Sequence, residues 1–387
     1  MKILAIDDQQ LVLLSLEKKL TTIGYEVKTA TSAKRGIVLY QDFQPDLVLL
    51  DMNMPENSGD KIIACTGLEV VKFIRLSLGH KTPIMVLSGN YSEKVIVENF
   101  HFGIDDYMKK PVGLDEMCMR IKRIIGTPKS SLEMKIDFSN QMIQKSCVGI
   151  VIPCYNEADR LNKKEFQNFA LRNLSYHLCF VNDGSTDNTL EVLHKIRKEN
   201  KDNISVYNCK ENRGKAEAVR QGMLHLINEG KYDYLGYLDA DLSTDFNDFD
   251  DLVKTLESSK FKIVSGSRIN RMGADITKES ARKIISKSIN LIIQKILRMP
   301  FKDTQCGAKV MNYELAATMF KTPFVTKWLF DVEIFMRMRK TFGKKDAIAS
   351  ICEKPLKRWI HADGSKLSIK DSLRIIGQLA ILNWNYR

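Results

Sequence analysis

Short apolar runs of β type alternate with stretches whose apolar residues recur every three or four positions, and the alternation occurs twice along the chain. In the first round KILAID, YEVKTA, DLVLLDM, PIMVLSG and DDYMKK predict five strands. LVLLSLEKKLTTIG, EVVKFIRLSLG and LDEMCMRIKRIIG predict amphipathic helices between and after them. This βα order predicts a doubly wound, five-stranded parallel sheet over residues 1–126, with ligands bound outside the carboxyl ends of its strands. Residues 127–146 open with TPKSS, lose periodicity and read as a linker. From Cys147 a second α/β pattern starts with VGIVIPCYNE and continues through LSYHLCFVNDGS, NISVYNCK, YLGYLDADL and KIVSGSR. It predicts a second, Rossmann-like domain over 147–387.

Charge separates the two halves. Residues 1–128 hold equal numbers of basic and acidic side chains, so the whole net charge of +12 belongs to the remainder. A neutral half joined to a basic half implies two different tasks, and the basic one suits phosphates on a nucleotide, a lipid head group or an anionic membrane. Nucleic acid explains the charge poorly, because the basic residues are dispersed and no reader motif is present. The 8 cysteines form no CxxC pair and the 6 histidines no metal-ligand spacing, as expected of reduced thiols in a cytoplasmic protein. MKILAIDDQQ lacks signal-peptide architecture, and no run approaches the roughly 18–20 apolar residues that span a bilayer. The expected location is cytoplasmic, with peripheral contact at the inner face of the membrane.

The strand ends of the first domain carry its chemistry. Asp7 and Asp8 end the first strand, Asp51 the third, Ser88 the fourth and Lys110-Pro111 the fifth. In a parallel sheet all of them reach one edge, where three carboxylates chelate Mg²⁺ while a hydroxyl and an ammonium bind anionic oxygens. One carboxylate then serves as a nucleophile towards a phosphoryl donor. The set resembles the receiver domain of response regulators. That resemblance implies Asp51 as phospho-acceptor, Asp7 and Asp8 as its companions in holding Mg²⁺, and Ser88 and Lys110 as phosphoryl contacts. It further implies Tyr107 as the switch aromatic, a cis Lys110–Pro111 bond and a histidine kinase as partner. One departure is the stretch near residues 59–66, which lies between the acceptor and the helix-like GLEVVKF.

In the second domain Asp239-Ala240-Asp241 closes the apolar run YLGYLDADL. Two carboxylates one residue apart at a strand end are costly to hold together without a cation, and hard oxygen ligands suit Mg²⁺ or Mn²⁺ with a diphosphate. IPCYNE ends a strand with Glu157, FVNDGSTDNT ends the next with Asp183, and NRGKAEAVRQGM sets Gly214 and Lys215 at a helix start suited to phosphate. A lone DxD is a weak signal; four such elements in this order are a strong one. Together they resemble family 2 glycosyltransferases of the GT-A fold. VSGSR, DTQCGAKVMN, KWLFDVEIFMR and WIHADGSKLS narrow the likeness to the polyprenyl-phosphate sugar transferases, such as the dolichyl-phosphate glucosyltransferases. The resemblance implies that Pro153, Tyr155, Glu157 and Asp183 contact the uridine, with Lys215 near the diphosphate. Asp239 and Asp241 would hold the metal, Arg268 and Arg282 would grip the acceptor phosphate, and Asp303 and Asp331 would line or support the sugar pocket.

The expected activity is hexose transfer, with inversion, from UDP-glucose or GDP-mannose to a polyprenyl phosphate, regulated through Asp51. Two rivals stand beside it. One is a transferase acting on a polysaccharide or protein acceptor, and the other a signalling adaptor that binds nucleotide sugar without turning it over. The segment 282–298, RKIISKSINLIIQKILR, aligns Ile285, Ile289, Ile292 and Ile296 on one helical face, which suits either a membrane interface or core packing.

Overall fold

The computed structural model describes residues 1–54, 56–58, 61–63, 67–89, 97, 100–128, 140–269, 275–276, 292–359 and 369–386. The chain divides into two compact units, Met1–Cys147 with Ala170–Tyr176, and Val148–Phe169 with His177–Arg387.

In the first unit, strands β1 (Lys2–Ile6), β2 (Glu26–Ala30), β3 (Leu47–Leu50), β4 (Ile84–Ser88) and β5 (Asp106–Lys109) form a sheet in the order β2-β1-β3-β4-β5. The pairings are parallel throughout. Such a sheet needs cover on both faces, and the helices supply it. Gln10–Ile23 and Leu114–Ile125 bury Leu13, Leu16, Leu20, Met117 and Ile121 against one face. Ala33–Phe43 and Gly67–Lys72 bury Tyr40, Phe43, Val70 and Val71 against the other. The predicted helix EVVKFIRLSLG continues from Gly67–Lys72 into a π-helical turn, Phe73–Ser77. Ahead of it Glu56–Ser58 and Lys61–Ile63 pair as a short antiparallel hairpin in the stretch that departs from the receiver pattern; residues 59, 60 and 64–66 lie outside the described residues. Within the span expected to be a linker, Met142–Ile143 pairs antiparallel with Val112–Gly113, and Ile143 is buried in the core of the first unit.

The second unit is built on seven strands: β6 (Val148–Cys154), β7 (Tyr176–Asn182), β8 (Ile204–Asn208), β9 (Tyr234–Leu238), β10 (Ile263–Ser267), β11 (Ala308–Asn312) and β12 (Ile351–Pro355). Their order is β8-β7-β6-β9-β11-β10-β12, and β11 runs antiparallel to both its neighbours. The apolar pattern marks β6 to β10 but passes over β11 and β12. In β11 the run AKVMN is interrupted by Lys309, which is nonetheless wholly buried. Charge at a core position hides a strand from any reading based on alternation. Among the described residues no helix is long and apolar enough to cross a membrane.

Candidate active sites

In the first unit, four strand ends deliver Asp7, Asp51, Ser88 and Lys110 to one edge, and all four side chains are buried. Lys110 Nζ lies 2.8 Å from Asp7 Oδ2 and 2.7 Å from Asp51 Oδ2. The backbone N–H groups of Gln9 and Asn53 donate to the other oxygens of Asp7 and Asp51, at 2.8 and 2.9 Å. Asp8 completes a trio whose ligand oxygens fall within 4.8 Å of one another. Among the described residues Asp7 and Asp51 share the Lys110 ammonium, so the two buried carboxylates carry surplus negative charge. Burial raises the Asp7 carboxyl to about 6; Lys110 pulls it down and Asp51 pushes it up. On Lys110 burial works against the charge, but Asp7 and Asp51 outweigh it and hold the ammonium above its usual range. A divalent cation on hard oxygens would relieve that surplus, so the donor set fits Mg²⁺.

Tyr107 is partly buried and hydrogen-bonds Ser88; burial pushes its phenol up. The Lys110–Pro111 bond is cis, as the family resemblance implies. Lys145 also reaches this edge, and nothing in the sequence pattern points to it. A Cβ added to Gly89, the residue after Ser88, would come within 2.7 Å of Lys145 Cγ. The Lys145 carbonyl accepts from Gln9 Nε2 at 3.0 Å.

In the second unit the ends of β6, β7 and β9 carry the acidic residues. Pro153 and Glu157 are partly buried and Tyr155 is 46% exposed. The loops after β6 and β7 are fastened together: Asn156 Oδ1 accepts from Thr186 N–H at 2.9 Å, and Glu157 N–H donates to Thr189 Oγ1 at 2.8 Å. The Glu157 carboxylate pairs with Arg160 at 2.5 Å. Asp183 is buried, with Oδ1 accepting from Arg213 N–H (3.0 Å) and Oδ2 from Gly214 N–H (2.9 Å). It thereby fixes the loop that starts the helix Lys215–Glu229. From the first residue of that helix Lys215 Nζ reaches Asp239 Oδ1 at 2.5 Å. Burial opposes the Lys215 charge, yet Asp239 and Asp331 hold its pKa up. A Cβ on Gly307 would stand 1.9 Å from Asp239 Oδ2, so only glycine lets this carboxylate occupy its place. Asp241 is exposed and accepts from Ser243 N–H at 2.9 Å.

One buried and one half-buried ion pair underlie this rim. Asp331 Oδ1 accepts from Lys309 Nζ at 2.6 Å and from the Tyr237 hydroxyl, and Lys309 Nζ also donates to the Cys306 carbonyl at 2.8 Å. Arg268 grips Asp303 in a fork, Nε to Oδ2 at 2.8 Å and Nη2 to Oδ1 at 2.7 Å. Burial pushes Asp303 up, but Arg268 prevails and holds it down at about 2. Glu353 accepts from the Asp303 N–H at 2.6 Å and from Ser267 Oγ at 2.8 Å, tying both segments to β12.

The sequence model of the response regulator receiver domain matches residues 3–122, and that of glycosyl transferase family 2 matches residues 149–320. A dolichyl-phosphate beta-glucosyltransferase of Dictyostelium discoideum is 30% identical over 257 residues, which are 62% of this chain and 74% of that protein. The protein of the same name from Saccharomyces cerevisiae is 30% identical over 261 residues, 62% of this chain and 75% of that one. The cell cycle response regulator CtrA of Brucella ovis is 31% identical over 174 residues, 45% of this chain and 70% of that protein. The chain belongs to the family 2 glycosyltransferases and carries a response regulator receiver domain.

The receiver gathers each residue expected of it. The transferase brings together Lys215, Asp239 and Asp331, and joins Arg268 to Asp303 as a pair where the sequence treats them as separate groups. Arg282 lies outside the described residues, as do Ile285 and Ile289 of the amphipathic segment. At the described end of that segment Ile293 and Leu297 are buried and Ile292 is exposed. Arg160, Lys309 and Glu353 escape the motif reading. For Arg160 a signal existed, since it stands three residues after Glu157 in a turn.

Proposed function

We propose that the transferase moves a hexose, glucose or mannose, from a nucleotide-diphosphate sugar (UDP-glucose or GDP-mannose) to a polyprenyl phosphate. The names of the two glucosyltransferase relatives support the sugar and the lipid acceptor. The observation that carries the reading is Lys215 drawn 2.5 Å from Asp239 at the strand end that also bears Asp241. A cation already sits on the first carboxylate of the DxD, which suits a site built to receive metal and diphosphate. Hard oxygens at the site rim fit Mg²⁺ or Mn²⁺, and when bound the ion would neutralise charge on the leaving diphosphate.

Pro153, Tyr155 and Glu157 flank the nucleoside. Asp183 serves it through the loop it holds, which presents Lys215 to the diphosphate. An acceptor phosphate oxygen attacks the anomeric carbon, the bond from that carbon to the diphosphate oxygen breaks, and the electron pair leaves with the nucleoside diphosphate. The nucleophile is already anionic, so alignment matters more than a general base, and direct displacement inverts the anomeric centre. Arg268, steadied by Asp303, orients the acceptor phosphate with Arg282, while Asp331 supports the floor of the sugar pocket. In the receiver, a histidine kinase phosphorylates Asp51 beside Mg²⁺ on Asp7, Asp8 and Asp51, and this regulates transfer.

The test is transfer of labelled sugar from each donor to a polyprenyl phosphate in detergent with Mg²⁺ or Mn²⁺. A chloroform-soluble product made by the wild type and lost in Asp241→Ala is expected. Product retained in that variant would sink the site assignment. For regulation, equal turnover by wild type and Asp51→Asn, with and without a small-molecule phosphodonor, would sink the receiver's role.

A further inference from the structure

Residues 321–329 of the transferase form a loop that shows Val325 and Trp328 to solvent, 44% and 65% exposed. The loop backbone is held firmly from beneath. Arg337, itself buried, donates to the carbonyls of Met319, Thr322 and Pro323 at 2.6, 2.9 and 2.6 Å. Glu333, wholly buried and paired with Arg337, accepts from Val325 N–H at 2.9 Å. The same pair fastens the helix Ile369–Asn385, because the Tyr386 hydroxyl donates to Glu333 Oε1 at 2.8 Å. On the last turns of that helix Leu379 and Leu382 point inward while Ile381 and Trp384 are 50% and 81% exposed. One buried charge pair thus anchors two segments that each present an aliphatic side chain and a tryptophan outward.

We propose that this surface docks on an anionic lipid bilayer. Exposed apolar side chains mark interaction sites when they come as a group, and here four of them stand on two segments fastened to one buried pair. Tryptophan flanked by lysine is the composition that favours the head-group region. The charge agrees: the only acids among residues 321–345, Asp331 and Glu333, are both buried, while Lys321, Lys327 and Lys340 are exposed. Position agrees as well. The Lys327 carbonyl accepts from Ala216 N–H at 3.3 Å, so the loop is joined to the helix start that carries Lys215. A bilayer touching Trp328 therefore lies at the rim of the donor site. The choice of a bilayer rests partly on the lipid-phosphate reading of that site.

Full-length protein would be sedimented with vesicles of phosphatidylglycerol and phosphatidylcholine containing no polyprenyl phosphate, so docking is read independently of transfer. Wild type is expected to bind these vesicles and to bind pure phosphatidylcholine weakly. Trp328→Ala should lower the binding constant at least about tenfold, and Trp384→Ala by a smaller factor. Nucleotide-sugar binding and the melting temperature should stay at wild-type values in both. Equal sedimentation of wild type and Trp328→Ala would overturn the proposal. A wild-type dimer that Trp328→Ala converts to monomer, without vesicle binding by either, would overturn it in favour of a second copy. Vesicle binding lost in Trp328→Ala would uphold the surface even if no sugar were transferred.

Discussion

The receiver and the transferase both place carboxylates at the carboxyl ends of parallel strands, yet they balance the charge in opposite ways. In the receiver two buried aspartates, Asp7 and Asp51, share Lys110, and burial prevails over the lysine at Asp7, whose carboxyl rises to about 6. In the transferase three carboxylates of the site each have a cation against them: Lys215 on Asp239, Lys309 on Asp331, Arg268 on Asp303. At Asp303 the cation prevails over burial, and the carboxyl falls to about 2. In the first arrangement two buried carboxylates share one ammonium, a donor set that suits a divalent cation bound by addition. The second is balanced, so ligand charge must displace or join a partner already present.

The hardest test of this contrast removes a cation from each side. Lys309→Met takes from Asp331 its ion-pair partner in the core and leaves it the hydrogen bond from the Tyr237 hydroxyl, which should cost about 3–5 kcal/mol whether or not Mg²⁺ is present. Native-state hydrogen exchange at the amides of β9 and β11 would read it, and a loss below about 1 kcal/mol would break the comparison. Lys110→Met in the receiver should cost less, about 2–3 kcal/mol in chelator, because one aspartate can take up a proton. Excess Mg²⁺ should restore much of it, about 2.7 kcal/mol at a hundredfold excess over the dissociation constant. No stabilisation of either the variant or the wild-type receiver by excess Mg²⁺ would mean that the trio is no metal site.

Acid should separate the two halves by sign. Asp303 has a folded pKa below its unfolded value of 3.8, so its contribution is complete above that value and is lost as pH falls towards about 2. Asp7 has a folded pKa above 3.8, so protonation favours its fold, and that contribution fades as pH rises through about 6. In chelator, Asp303→Asn should flatten acid sensitivity in the transferase below pH about 4, and Asp7→Asn should flatten the rise in receiver stability from pH about 7 to 5. Each effect should be on the order of 2 kcal/mol. The same sign in both halves would refute the contrast.

How far the sequence shows these sites follows from the same difference. The receiver trio and Lys110 are legible because each sits where an apolar strand ends, and a parallel sheet gathers such ends at one edge. The DxD and Glu157 are legible for the same reason. The cations that balance the transferase are less so. Lys309 breaks an apolar run in mid-strand, and with it the whole of β11 was hidden. Arg268 and Asp303 are 35 residues apart, and only the placement of β10 brings them together. The partner of a buried charge is chosen by tertiary packing, which periodicity does not record. Asp183 shows another limit: its motif is plain, but its oxygens go to the backbone of residues 213 and 214.

The finest discrimination concerns Lys145. Its stem crosses Gly89 and its carbonyl is held by Gln9, so a second lysine reaches the edge where Lys110 pairs with Asp7 and Asp51. Lys145 is exposed, and an exposed lysine adds little to stability: Lys145→Ala should change it by no more than about 0.5 kcal/mol. A positive charge beside the pocket should nonetheless oppose Mg²⁺ and favour a phosphoryl group. The variant should bind Mg²⁺ a few-fold more tightly at low salt and approach wild type as salt screens the site. Titration of Mg²⁺ followed by the amide resonances around Asp51 at two ionic strengths would read this. Unchanged affinity at low salt would leave Lys110 as the one lysine that sets the charge of the pocket, and would restrict the contrast with the transferase to buried cations.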